Sequence, residues 1–306
     1  MRALFVTADG ALRAPWRIAL FFGATFMAGA LVSALGFALL ELTPLVGLAR
    51  AWRVPLDQFG SLVALLAGTW MALRVDGRGV ADWSRVGLAR PAWGARPAAV
   101  GVAVGGLAIL VPCTLLLATH RFTFEPQPPA QSWVVTAGAA LLLLAPAALV
   151  EELALRGYPL MALRDAWGAP AAVAATSACF GLMHLLNPHP TVLSTATVAL
   201  AGVFLAAVRL ATGSLVAAWM AHLAWNFVQA AVLHAPVSGL ALGSPGYRLA
   251  DHGPRWLTGG SWGPEGGLAA AAGMLVATFL VVRGSRVSPP GGLAPSVLPA
   301  ENGINE

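Results

Sequence analysis

Long apolar stretches recur along the chain, near residues 18–40, 55–73, 98–119, 134–163, 169–186, 192–210, 215–233 and 266–282, with short polar breaks between them. At about 1.5 Å per residue, each is long enough to cross most or all of a hydrocarbon layer about 30 Å thick as a helix. Only helices and closed barrels satisfy their backbone in lipid, and the two-residue alternation of a barrel strand is missing. The pattern therefore predicts an all-α, polytopic membrane helix bundle of about eight transmembrane helices.

Composition points the same way. Of 306 residues, 58% are hydrophobic and 10% charged, where a soluble domain carries about 25% charged residues. The expected setting is a bacterial inner membrane. All 18 basic residues are arginines, and their placement is better explained by topology than by nucleic-acid binding. Arg2, Arg13, Arg17, Arg74, Arg78, Arg85, Arg90, Arg96, Arg156, Arg164, Arg209, Arg283 and Arg286 fall on one side; Arg50, Arg53, Arg121, Arg248 and Arg255 fall on the other. The positive-inside rule then puts both termini in the cytoplasm. The first apolar stretch is too long for the core of a cleaved signal and reads as a retained anchor. Cys113 and Cys179 sit in apolar runs without ligand spacing, and read as small core residues rather than a disulfide.

Four regions follow. Residues 1–125 hold N-terminal transmembrane helices and an interfacial Trp/Arg segment at 81–97. Residues 126–240 form a transmembrane core, 241–282 an outer loop and the last span, and 283–306 a tail of disordered composition. The Gly- and Pro-rich stretch 234–265 reads as an ordered or semi-ordered outer loop. No internal repeat is visible, which argues against a carrier built on inverted halves.

Between Gln127 and Tyr247 only Glu151, Glu152, Arg156, Arg164, Asp165 and Arg209 are charged. Arg164 and Asp165 stand at a break and suit a helix cap. Glu151, Glu152 and Arg156 lie inside an apolar run, where charge is costly and usually functional. On a helix, Glu152 and Arg156 at i and i+4 meet on one face. Glu151 is rotated about 100° away and left free. Taken alone, this spacing also fits a structural ion pair beside an interfacial glutamate. A turn near Asp165–Gly168 would fold two helices into a hairpin. Counting about 15 residues back and about 17 forward then brings Glu151 and His184 to nearly the same depth.

His184 follows Phe180 at i+4, and His222 precedes Asn226 at i+4, so each pair shares a helical face. A lone histidine in such a helix is more often a hydrogen-bonded core residue than a ligand. His120, His189, His234 and His252 fall in loops or at segment ends. A glutamate and a histidine can hold and deprotonate water; a second histidine and an asparagine can donate to an oxyanion. Glu151, His184 and His222 could alternatively hold a metal with an open position. The combination points to hydrolysis of an amide, and neither HExxH nor GxSxG is present.

Three motifs, "EELALR" (151–156), "FGLMH" (180–184) and "HLAWN" (222–226), resemble in order and spacing those of the CPBP family of intramembrane proteases. That family includes CAAX prenyl endopeptidases and bacteriocin-processing enzymes. The likeness extends over about residues 130–240, with "HLLNP" and "RLATGSL" between motifs. It implies an intramembrane endopeptidase in which Glu151 activates water with help from His184, and His222 and Asn226 stabilise the oxyanion. Glu152, Arg156 and Phe180 would support them. Tyr158–Pro159 replaces the family's more usual Tyr–Leu, which bears on the helix path. Family members are often called metalloproteases; zinc is compatible with these residues and not required by them. The implied partners are a peptide or protein substrate at the membrane and the bilayer itself. Two other readings stay open: a non-catalytic accessory or immunity protein, and a proton-coupled carrier using Glu151 as relay. Substrate identity and oligomeric state are not encoded in these features.

Overall fold

A computed structural model describes residues 2–7, 10–41, 52–77, 79–127, 132–243 and 245–287. Within these, nine long helices run in chain order: α1 (Ala14–Glu41), α2 (Arg53–Asp76), α3 (Ala95–Ala118), α4 (Trp133–Glu152), α5 (Tyr158–Trp167), α6 (Ala169–Met183), α7 (Val192–Thr212), α8 (Leu215–Phe227) and α9 (Leu268–Val287). They supply eight spans of membrane-crossing length and apolarity, because α4 and α5 form one bent span of 35 residues. Large apolar side chains such as Phe26, Leu31, Leu115, Val134 and Phe279 point outward, as expected of surfaces solvated by lipid. The chain is an integral membrane protein.

The bend between α4 and α5 has a local cause. Pro159 lacks an N–H, and its ring crowds the carbonyl one turn earlier. The preceding residues Leu153–Gly157 widen into a π turn, a form that recurs at functional sites. Gly157 then departs from helical geometry at ψ −121°. The turn at Gly168 reverses the chain, so α5 and α6 pack as the hairpin that the sequence suggests. α7 begins on a capping box, in which Thr191 Oγ1 accepts from the Ser194 N–H and Ser194 Oγ accepts from the Thr191 N–H. α8 begins on Ser214, whose hydroxyl accepts from the Ala217 N–H.

Packing positions the histidine-bearing helices. Gly101 and Gly105 of α3 lie against Ala217 and Ala221 of α8, so closely that a Cβ at either glycine would collide with the α8 backbone. Small residues four apart are what let helices approach in lipid. Ala221, held this way, immediately precedes His222. Around this contact Ile109, Cys113, Phe204, Val208, Trp225 and Met274 form one core cluster. A second, with Phe21, Leu73, Val86, Leu153 and Tyr158, joins α1 and α2 to the π turn and α5.

Several expectations change. Asp165 does not cap a helix: it pairs with Arg17 (3.2 Å) and Arg85 (2.5 Å). Asp76 meets the same two arginines and accepts from the Tyr158 hydroxyl. The segment 81–97 is more than interfacial, since Val86 is fully buried and the Gly87 carbonyl accepts from the Leu215 N–H. Arg156 is wholly buried and belongs to neither side, and Arg209 is buried against the Arg85 carbonyl. Their positions inside helices outweigh the loop reading. Cys113 is a buried core thiol, but Cys179 is exposed on the outer face of α6; both are free. The stretch 234–265 contributes strand β2 (Tyr247–Asp251), which pairs antiparallel with β1 (Phe122–Pro126). This two-stranded ribbon, missed in the sequence, leaves the all-α class intact. Residues 283–287 continue α9, and the rest of the expected tail lies outside the described residues.

Candidate active site

Three helices, α4, α6 and α8, and the π turn bring the sequence-predicted residues together. Glu152 ends α4 with no exposure, and its Oε1 accepts from Arg156 Nη1 at 3.4 Å. The i,i+4 pair thus forms as expected, across the π turn. The same Oε1 lies 3.0 Å from His222 Nδ1. A carboxylate accepts, so Nδ1–H donates, and this partner fixes ring orientation and leaves Nε2 facing outward. Glu151, partly exposed at 29% of its side chain, places Oε2 3.8 Å from His222 Nε2. His222 therefore stands between the two adjacent glutamates.

Phe180 is the hub on α6. The Arg156 guanidinium lies 4.2 Å from its ring centroid, a cation–π contact that shares the buried charge. The rings of His184 and His222 meet it edge-on at 4.7 and 5.9 Å. His184 follows the end of α6, and its Nδ1 lies 2.8 Å from the Phe180 carbonyl. Nδ1–H is thereby used, and Nε2 is left as the acceptor nitrogen. A small cavity of about 30 Å³ is lined by Phe180, His184, His222 and Asn226, together with Thr197, Ser238 and Glu265. Among the described residues the Asn226 amide has no hydrogen-bond partner, so it is free to donate into this space.

One expected contact is replaced by another. Glu151 meets His222 and, among the described contacts, does not touch His184. The reason is local: His184 leaves α6 in a tight 3₁₀ turn (His184–Leu186), bound back to its own helix. His120, His189 and His234 stand at element ends with left-handed φ of 54°, 58° and 49°, and His252 Nε2 meets Thr123 Oγ1 at 2.8 Å. All four lie outside the constellation, as the sequence suggests. Burial pushes the His234 imidazole below its ordinary value.

A metal held by Glu151, His184 and His222 does not fit this arrangement. Among the described residues Glu151 and His184 make no polar contact, and His184 Nδ1 is bound back to the Phe180 carbonyl. Among the described residues no three His, Cys, Asp or Glu side chains gather as a metal would need.

Sequence reasoning missed Glu265. This buried carboxylate accepts from Trp225 Nε1 and Gln229 Nε2, each at 2.9 Å. It also accepts from the Ser238 N–H at 2.7 Å and the Ser238 hydroxyl at 2.6 Å. The available signal was an acid immediately ahead of the last apolar span, in a stretch read as outer loop.

Residues 131–228 match the sequence model of a family described as type II CAAX prenyl endopeptidase Rce1-like. No curated protein and no solved structure matches the chain. The matched segment holds all three motifs, from Glu151 to Asn226, while Ser238 and Glu265 fall beyond it. The likeness to the Rce1-like type II CAAX prenyl endopeptidases thus spans residues 131–228, about a third of the chain.

Proposed function

We propose that this protein is an intramembrane endopeptidase that hydrolyses a peptide bond of a membrane-associated protein or peptide with a water activated by Glu151 and His184. The observation that carries the reading is the convergence of His184 from α6 and His222 and Asn226 from α8 on one cavity, with the Glu151 carboxylate beside His222. His184, with Nδ1–H bound to the Phe180 carbonyl, offers Nε2 to a water hydrogen. Glu151 takes a proton as the water oxygen attacks the scissile carbonyl carbon. The carbonyl π bond opens to an oxyanion, which accepts from the Asn226 amide and from Nε2–H of the protonated His222 ring. When the carbonyl re-forms, the C–N bond breaks, and the proton held by Glu151 passes to the leaving amine. Glu152, bonded to His222 Nδ1, orients the imidazole throughout. Both termini are assigned to the cytoplasm on the arginine bias of the loops.

Asn226→Ala tests the oxyanion assignment. On a farnesylated CAAX peptide in liposomes, kcat is expected to fall about 10²–10³-fold with KM little changed. A variant with unaltered kcat would remove Asn226 from the mechanism, and failure of the unaltered protein to cleave any membrane peptide would remove the activity. Metal stripping gives an independent check. Dialysis against a strong chelator is expected to leave cleavage unchanged, whereas a loss restored by zinc would overturn the metal-free reading.

A further inference from the structure

Ser238 and Glu265 wall the cavity from outside the matched segment, and their bonds lead in two directions. One leads to α8. The four donors on Glu265 fill the lone-pair sites of a carboxylate. Two of them, Trp225 and Gln229, lie on α8 and on the π turn (Val228–Leu233) that follows it, flanking Asn226. Gln229 also accepts from the Glu265 N–H through its Oε1, so the pairing is reciprocal. The other direction leads to α6. The Ser238 carbonyl accepts from Asn187 Nδ2 at 3.1 Å, and the Asn187 N–H donates to the His184 carbonyl at 3.1 Å.

Ser238 itself has φ +49°, a left-handed conformation that non-glycine residues adopt seldom. Such strain persists where the surroundings over-determine it. Here both the N–H and the hydroxyl are held by Glu265 while the carbonyl is held by Asn187. Gly239, next in sequence at φ +82°, has no room for a Cβ against the Pro188 carbonyl. Its N–H donates to the Trp262 carbonyl at 2.8 Å. The segment is clamped at consecutive residues, and its two clamps are the two sides of the cavity.

We infer that Glu265 is a positioning residue. Through Ser238 it bridges α8, with His222 and Asn226, to the turn after α6, with His184, and thereby sets the spacing between the two halves of the site. The geometry stands by itself; its meaning for catalysis rests on the proposed endopeptidase activity. That dependence requires two readouts.

The first is a distance. Spin labels are placed at Leu186 and Val232, both exposed, in the full chain in liposomes with Cys113→Ala and Cys179→Ala, and pulsed dipolar spectroscopy compares E265A, E265Q and S238A with the parent. A narrow parental distribution is expected to broaden in E265A and E265Q, and less in S238A, which keeps the Trp225 and Gln229 bonds. The second is the kcat/KM split on the farnesylated peptide. A misplacement of about 1 Å can cost about 10²-fold, so kcat is expected to fall by about that factor in E265A with KM within about twofold. Distances unchanged in E265A and E265Q would overturn the inference. So would broadened distances with unaltered kcat, or a lowered thermal midpoint alone. Should E265A not fold, E265Q and S238A decide it by the same two readouts. Should the parent cleave nothing, the proposed activity fails and the distances alone decide the positioning.

Discussion

Glu151→Gln is expected to abolish cleavage, by about 10³-fold or more in kcat, while the protein inserts and unfolds as the parent does. The amide keeps the size of the carboxylate but cannot take a proton from water. Stability is spared because Glu151 makes no hydrogen bond among the described residues: His222 Nε2 is 3.8 Å away, and the side chain is partly exposed. Comparing membrane peptides from cells carrying the parent or this variant would show which products disappear. Full function in Glu151→Gln would favour an accessory or immunity protein, and proton-driven flux into liposomes that is lost in it would favour a carrier.

The neighbouring glutamate is expected to behave in the opposite way. Glu152→Ala and Arg156→Ala should each destabilise the protein by about 3–5 kcal/mol, because each leaves a buried charge without its partner. Both side chains have no exposure, so water cannot step in from outside. Thermal unfolding in detergent measures the loss. Replacing both charges with apolar residues of similar size, as in Glu152→Leu with Arg156→Met, should restore much of the stability. It should not restore activity, because His222 Nδ1 would then lack its acceptor. Recovery of cleavage in the double variant would show that Glu152 serves the fold alone.

These two outcomes separate residues that are adjacent in sequence, and the separation was partly legible there. Helical spacing alone paired Glu152 with Arg156 and turned Glu151 away from them. The span count, the hairpin at Gly168 and the two i,i+4 pairs on α6 and α8 were also readable, since each depends on local periodicity. The partner of Glu151 was not. Depth counting matched it to His184, but depth carries no information on which helix lies opposite, and the α3–α8 contact at Gly105 and Ala221 is what seats His222 there. The second role of Glu152, as acceptor for His222 Nδ1, depends on the same contact.

Glu265 shows the larger gap. It lies beyond the motifs, in a stretch whose glycines and prolines signal turns but not where those turns return. Only the folded chain shows that the stretch re-enters the bundle and gives a carboxylate four neutral donors. What the sequence determined by itself was the solvent, the helices and the residues able to do hydrolytic chemistry, because hydropathy, periodicity and spacing are properties of neighbours along the chain. What the tertiary structure decided was which of those residues face each other and what holds them apart, because in lipid that choice rests on close packing of small residues and on long-range hydrogen bonds, and neither leaves a periodic trace.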